Sequence, residues 1–146
     1  MNLRTLARVF GVVFVVVGIL GFIPGVTQMQ HDHGDLRVTG PGTGYLLGLF
    51  HVNVLHNIVH ILFGVWGLAA GASLAGSRIY FRGVGIIYAV LAILGLIPTA
   101  NINNTFGLIP IHGNDVWLHA ILAIIGLYLG FAASATDVTD ATTPRV

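Results

Sequence analysis

The run GVVFVVVGILGFIP, residues 11–24, returns as GIIYAVLAILGLIP, residues 85–98. Gly11 falls on Gly85, Phe14 on Tyr88, Gly18 on Ala92, Gly21 on Gly95 and Pro24 on Pro98, at a constant offset of 74. Each copy is apolar for the length of a helix and stops at a Pro, which cannot continue one. A second pair of runs matches at an offset of 59 without a gap: Gly48-Leu49 falls on Gly107-Leu108, His60 on His119, Gly67-Leu68 on Gly126-Leu127 and Gly71 on Gly130. The chain therefore reads as two tandem copies of one helical hairpin. The offsets differ by 15, which assigns the extra residues to the first outer loop, Thr27 to Pro41.

Composition says what solvent these hairpins live in. Hydrophobic residues make up 55% of the 146, and mean hydropathy is +0.90. Charged residues are only 8% of the chain, whereas a soluble domain carries roughly 25%. The charges are Arg4, Arg8, Arg37, Arg78, Arg82, Arg145 and five Asp, with no Lys and no Glu. A helix crosses a bilayer with about 20 apolar residues. Four stretches qualify: 6–26, 45–72, 79–99 (most apolar from Val84) and 115–133 (most apolar from Val116). The expected fold is an all-α membrane protein of four transmembrane helices over residues 1–135, with a disordered cytoplasmic tail at 136–146. Two hairpins that enter and leave in the same sense are related by a pseudo-twofold axis along the membrane normal. The first span begins like a signal peptide, but it ends in Phe22-Ile23-Pro24-Gly25 without a small-residue cleavage site and has a partner in the repeat, so it reads as retained.

Arg4 and Arg8 precede the first span, Arg78 and Arg82 sit in the link between the second and third, and Arg145 is in the tail. Only Arg37 lies on the other side. The positive-inside rule places both termini in the cytoplasm and the chain in the inner membrane. No basic surface is available to track nucleic acid. With no Cys, disulfides and thiolate metal sites are excluded. The bilayer is the one partner the sequence implies.

Seven His stand against few other polar groups. The repeat superposes His56 on Asp115, His60 on His119 and Asn53 on His112. Residues four apart share a helix face, so one helix presents His56 and His60 and its counterpart Asp115 and His119. Each face continues inward with small residues: Gly64, Gly67, Gly71 and Ala123, Gly126, Gly130. Small residues let helices approach closely, which leads us to expect the second and fourth helices to face each other and the four polar groups to converge in the outer half of the membrane. Ionisable groups in a span usually mark function. Three imidazoles and a carboxylate suit zinc, copper or non-haem iron, with Asn53, Asn57, His51 and His112 as partners that fix imidazole tautomers. Haem held axially by His60 and His119 is a weaker reading. The bland alternative makes Asp115 a helix cap and the cluster interhelical glue. Catalysis is available only through a metal, because no nucleophile with a base lies outside the cluster. The tract His31-Asp32-His33-Gly34-Asp35 is a further, weaker metal candidate.

The runs Leu55-His56-Asn57-Ile58-Val59-His60 and Phe106-Gly107-Leu108-Ile109-Pro110, followed by Gly113-Asn114-Asp115-Val116-Trp117-Leu118-His119, resemble a family of small four-span membrane proteins common in actinobacteria and catalogued only as a domain of unknown function. The resemblance covers about residues 5–133. It implies a four-helix membrane fold and supplies no activity. It also implies that Asn is frequent at the position of His112, which weakens that residue as a ligand.

Overall fold

The computed structural model describes residues 2–29, 42–99 and 102–133. The His31–Asp35 tract and the 136–146 tail lie outside the described residues. The chain is mostly helical: α1 is Leu3–Leu20, α2 Val54–Ala70, α3 Leu74–Leu96 and α4 Asn114–Leu127, the last continued by one π-helical turn, Tyr128–Ala132. Asn2, Asn53 and Ser73 cap the first three, each side-chain oxygen accepting a backbone N–H three residues on, which satisfies donors that the first turn leaves free.

Among the described residues, three helices are long and apolar enough to cross a membrane: Leu3–Leu20, Leu74–Leu96 and Asn114–Ala132; Val54–Ala70 is apolar but shorter. On α1 the buried residues Leu3, Ala7, Gly11, Phe14 and Gly18 form one stripe. From Val9 onward its exposed surface is Val9, Val12, Val13, Val16 and Ile19. A helix apolar on every side suits lipid, not water.

The helices pack as α1 on α2 and α3 on α4, with lesser contacts of α3 on α1 and α2. This corrects the expected facing of the second and fourth helices, which make no extended contact. The small-residue stripes serve their own hairpins instead. A Cβ placed on Gly11 would lie 2.7 Å from Leu68 N and 2.8 Å from Gly64 O. One placed on Gly85 would lie 2.5 Å from Leu127 N and 2.8 Å from Gly126 C. Gly11 and Gly85, like Leu68 and Leu127, are positions the repeat matches. Matched pairs recur along the hairpins: Gly21 meets Asn57 as Gly95 meets Val116, and Gly71 meets Arg8 as Gly130 meets Arg82.

Arg78 and Arg82 belong to the first turns of α3, not to a link. Only Gly71, Ala72 and Ser73 separate α2 from α3. Arg82 Nε donates to Gly130 O at 2.8 Å, and Arg4 Nε reaches Gly71 O at 3.4 Å. A guanidinium thus meets the free carbonyls at the end of each hairpin's second helix, where cations are favoured.

At the other end the chain is not all helical. Strands β1 (Thr27–Met29), β2 (Gly44–Leu46) and β3 (Phe50–Val52) form an antiparallel sheet in that order, with Thr27 opposite Leu46 and Tyr45 opposite His51. The second span, expected as helix from residue 45, therefore turns helical only at Val54. Leu47 and Gly48, at φ 53° and 70°, make the tight connection between β2 and β3. Their matched positions, Phe106 and Gly107, take φ 60° and 87° inside the short 3₁₀ turn Thr105–Gly107.

Candidate functional site

Asn53 organises the start of α2. Its Oδ1 accepts from His56 N at 2.8 Å and its Nδ2 donates to Leu108 O at 2.7 Å, so one side chain caps its own helix and holds the second hairpin's outer loop. Asn114 Nδ2 returns the contact, donating to Leu49 O at 3.1 Å. Leu49 and Leu108 are matched positions, and each carbonyl is taken by an asparagine of the other hairpin.

The cap sets His56 and His60 one turn apart on the buried face of α2. Their rings stack at 4.6 Å. His56 Nδ1 lies 3.3 Å from His51 O, and His60 Nδ1 lies 3.1 Å from His56 O. A carbonyl oxygen only accepts, so these geometries assign the hydrogen to each Nδ1 and leave a lone pair on each Nε2. That is the tautomer in which an imidazole accepts a hydrogen bond or ligates a metal.

Gly113, at φ 69°, turns the chain into α4, which begins at Asn114. Asp115 is therefore inside the first turn and does not cap the helix, contrary to the bland expectation; the capping position is Gly113, without a side-chain bond. Asp115 and His119 are both 3% exposed. Among the described residues, Asp115 Oδ2 and His119 Nδ1 have no hydrogen-bond partner. Tyr88 meets the His119 ring edge-on at 5.0 Å, and its matched residue Phe14 meets His60 at 5.8 Å. Phe14 and Tyr88 touch in turn at 5.8 Å, completing a line of rings from one helix pair to the other.

His56, His60, Asp115 and His119 line one pocket of about 130 Å³, together with Tyr88 and apolar residues of α1, α4 and the β2–β3 segment. They share it without converging: among the described residues no three His or Asp side chains are placed to hold a metal ion. The reason is the helix pairing. With α2 bound to α1 and α4 to α3, the two polar pairs sit on helices that make no extended contact with each other. Of the residues expected to support the cluster, Asn53 does so through its cap. Asn57 is buried against Gly21, and its Nδ2 finds no partner among the described residues. His112 is half-buried and meets His51 edge-on at 5.5 Å.

Tyr88 is not among the residues that the sequence singles out for the site. The signal was present in the repeat, where a hydroxyl replaces the plain ring of Phe14 beside a buried imidazole.

Apolar helices with lipid-suited surfaces around a buried His/Asp pocket define a multi-pass membrane protein. The chain belongs to the family described as a domain of unknown function, DUF4383, which it matches over residues 4–132. No curated protein and no solved structure matches it.

Proposed function

We propose that this is a four-span inner-membrane protein, two hairpins about a pseudo-twofold axis with both termini cytoplasmic, whose His/Asp pocket binds a ligand. The short α2 completes the fourth span with the help of β3 and the apolar loop before it. The observation that carries the binding reading is the pocket's inventory of acceptors. His56 and His60 both turn a lone-paired Nε2 away from the backbone, and the Asp115 carboxyl is buried with an unpartnered oxygen. Leaving a buried polar atom unpaired costs about 1–3 kcal/mol, so such a set favours an occupant that donates hydrogen bonds or carries positive charge.

A zinc, copper or iron ion is the occupant with the sharpest test. His56 and His60 supply two ligands in the required tautomer, and Asp115 and His119 line the same pocket as the remaining donors. Haem fits less well, since Phe14 and Tyr88 pack on the two axial candidates and the pocket is small beside a porphyrin. The test is elemental analysis with an absorption spectrum on detergent-purified protein, wild type against a His60→Ala, His119→Ala double variant. Stoichiometric metal that the variant loses is the expected result. A folded wild type without metal or chromophore rejects the ion.

A second reading makes the chain a non-enzymatic accessory subunit whose polar residues only lock its halves together. The crossed bonds Asn53 to Leu108 and Asn114 to Leu49 favour it. It requires Asp115 and His119 to be paired within the protein, and their unpartnered atoms count against it.

A further inference from the structure

We propose that the chain carries two lateral pockets, one for each hairpin and built alike on a shared wall, each taking a membrane-dissolved molecule with a compact hydroxyl-bearing head on an apolar tail. This rests on the reading of the His/Asp pocket as a binding site, with a hydroxyl head taking the lone pairs that a metal ion would otherwise occupy.

A second pocket, of about 180 Å³, lies on the far side of the His wall. Its lining repeats that of the first in the register of the sequence repeat. Val17 in the first pocket answers to Leu91 in the second, Phe50 to Ile109, and Val52 to Ile111. Leu118 and Leu122 answer to Val59 and Phe63. Each pocket thus takes its outer loop from one hairpin and a second helix from the other. His56, His60, His119 and Tyr88 line both.

The two mouths face lipid. The first opens between α1 and α4, which make no extended contact. The second lies between the outer halves of α2 and α3. Those helices close on each other at the inner end, where a Cβ on Gly67 would meet the Tyr80 ring and one on Gly83 the Trp66 ring, and at the pocket's floor, where Phe63 meets Tyr88 edge-on at 5.6 Å. At the rims stand exposed Leu47 and Leu118 for the first pocket and exposed Ile87 for the second. A molecule arriving through either mouth comes from the bilayer.

The walls are apolar and the back is acceptor-rich, which selects the ligand's chemistry. The Nδ1 hydrogens of His56 and His60 are committed to backbone carbonyls. Their Nε2 atoms therefore accept, and so does the buried, unpartnered Asp115 oxygen in the first pocket. A hydroxyl head satisfies these groups, while an ether or ketone head of equal size does not. An apolar cavity of about 150 Å³ accepts benzene; the two pockets, at about 130 and 180 Å³, bracket that size, so a phenol-sized head fits the second whole and enters the first with its tail side left in lipid.

The test uses the purified full chain in lipid nanodiscs and a 4-alkylphenol carrying a diazirine next to the ring. After photolysis, labelled residues are located by mass spectrometry, with unlabelled 4-alkylphenol or its methyl ether as competitor. The expected result is competable label at Leu118 and Leu122 and, separately, at Val59, Phe63 and Leu91. The ether, unable to donate, should compete about tenfold less well, from the hydrogen bond it cannot make. Leu122→Trp should remove label from the first pocket alone and Leu91→Trp from the second alone. Competable label in one pocket only overturns the pairing and leaves the binding site standing. Label spread over lipid-facing Ile93 and Ile124 without competition, or an ether as effective as the phenol, overturns the hydroxyl ligand; elemental analysis then decides the binding reading separately.

Discussion

Replacing Asp115 by Leu separates a binding site from interhelical glue by the sign of a stability change. If the carboxyl serves to hold the helices together, its loss destabilises the protein by about 0.6 kcal/mol, the mean for a hydrogen bond in a membrane bundle. The structure argues for the opposite sign. Asp115 is 3% exposed and its Oδ2 has no partner among the described residues, a situation that costs about 1–3 kcal/mol. Against that relief stands the lost attraction between a carboxylate and the start of α4, worth about 0.3–1 kcal/mol. The adjoining pocket of about 130 Å³ absorbs the Leu side chain without overpacking. The balance is a gain of about 1 kcal/mol in the ligand-free protein. The assay is unfolding of detergent-solubilised protein by SDS titration, followed by far-ultraviolet circular dichroism, with chelator present and then with added zinc. Zinc should raise the stability of the wild type through linkage and leave the variant unmoved. A ligand-free variant less stable than wild type by about 0.6 kcal/mol or more refutes the reasoning and gives Asp115 to the glue.

Three further outcomes are expected. Gly85→Val drives a side chain into the backbone of Leu127 and should cost about 1–3 kcal/mol as α3 and α4 part, with Gly11→Val costing a like amount between α1 and α2; either variant at wild-type stability in the same titration would show that the close approach is wrongly drawn. Asn53→Ala removes both a helix cap and a bond across the hairpins, about 2 kcal/mol together, and should speed hydrogen exchange at the His56 amide while leaving α3 amides unchanged. The Cys-free chain permits topology mapping by single cysteines: Ser73→Cys should resist a membrane-impermeant maleimide in intact cells and Gly113→Cys should react, and the reverse pattern inverts the proposed orientation.

How far the sequence reaches is clearest where it misleads. Hydropathy and the repeat place all four helices, because apolar runs and a constant offset survive any detail of packing. They overrun the start of α2 by nine residues, 45 to 53. An apolar strand and an apolar helix have the same hydropathy, and the break is made by the left-handed pair Leu47-Gly48 and the Asn53 cap. The stripe Gly64, Gly67, Gly71 announces a close neighbour without naming it. It was read as facing the fourth helix, whereas it receives α1 and, at Gly67, Tyr80 of α3. His56, His60, Asp115 and His119 were legible as one site because the repeat superposes them. Their failure to converge was not, since it depends on that same choice of partner. Asp115 looked like a cap because Asp often is one; the turn at Gly113 shifts the helix start by two residues and buries the carboxyl.

The join of both hairpins in one polypeptide has a consequence beyond stability. A dimer of identical hairpins would be bound to carry the same residues at both halves of its centre, so that any change on one side appeared on the other. Here a carboxyl at Asp115 stands where the other half has the imidazole of His56, and a phenol at Tyr88 stands where it has the bare ring of Phe14. One polypeptide can therefore give its two halves different affinities, and so a direction, that a symmetric assembly of the same parts could not have.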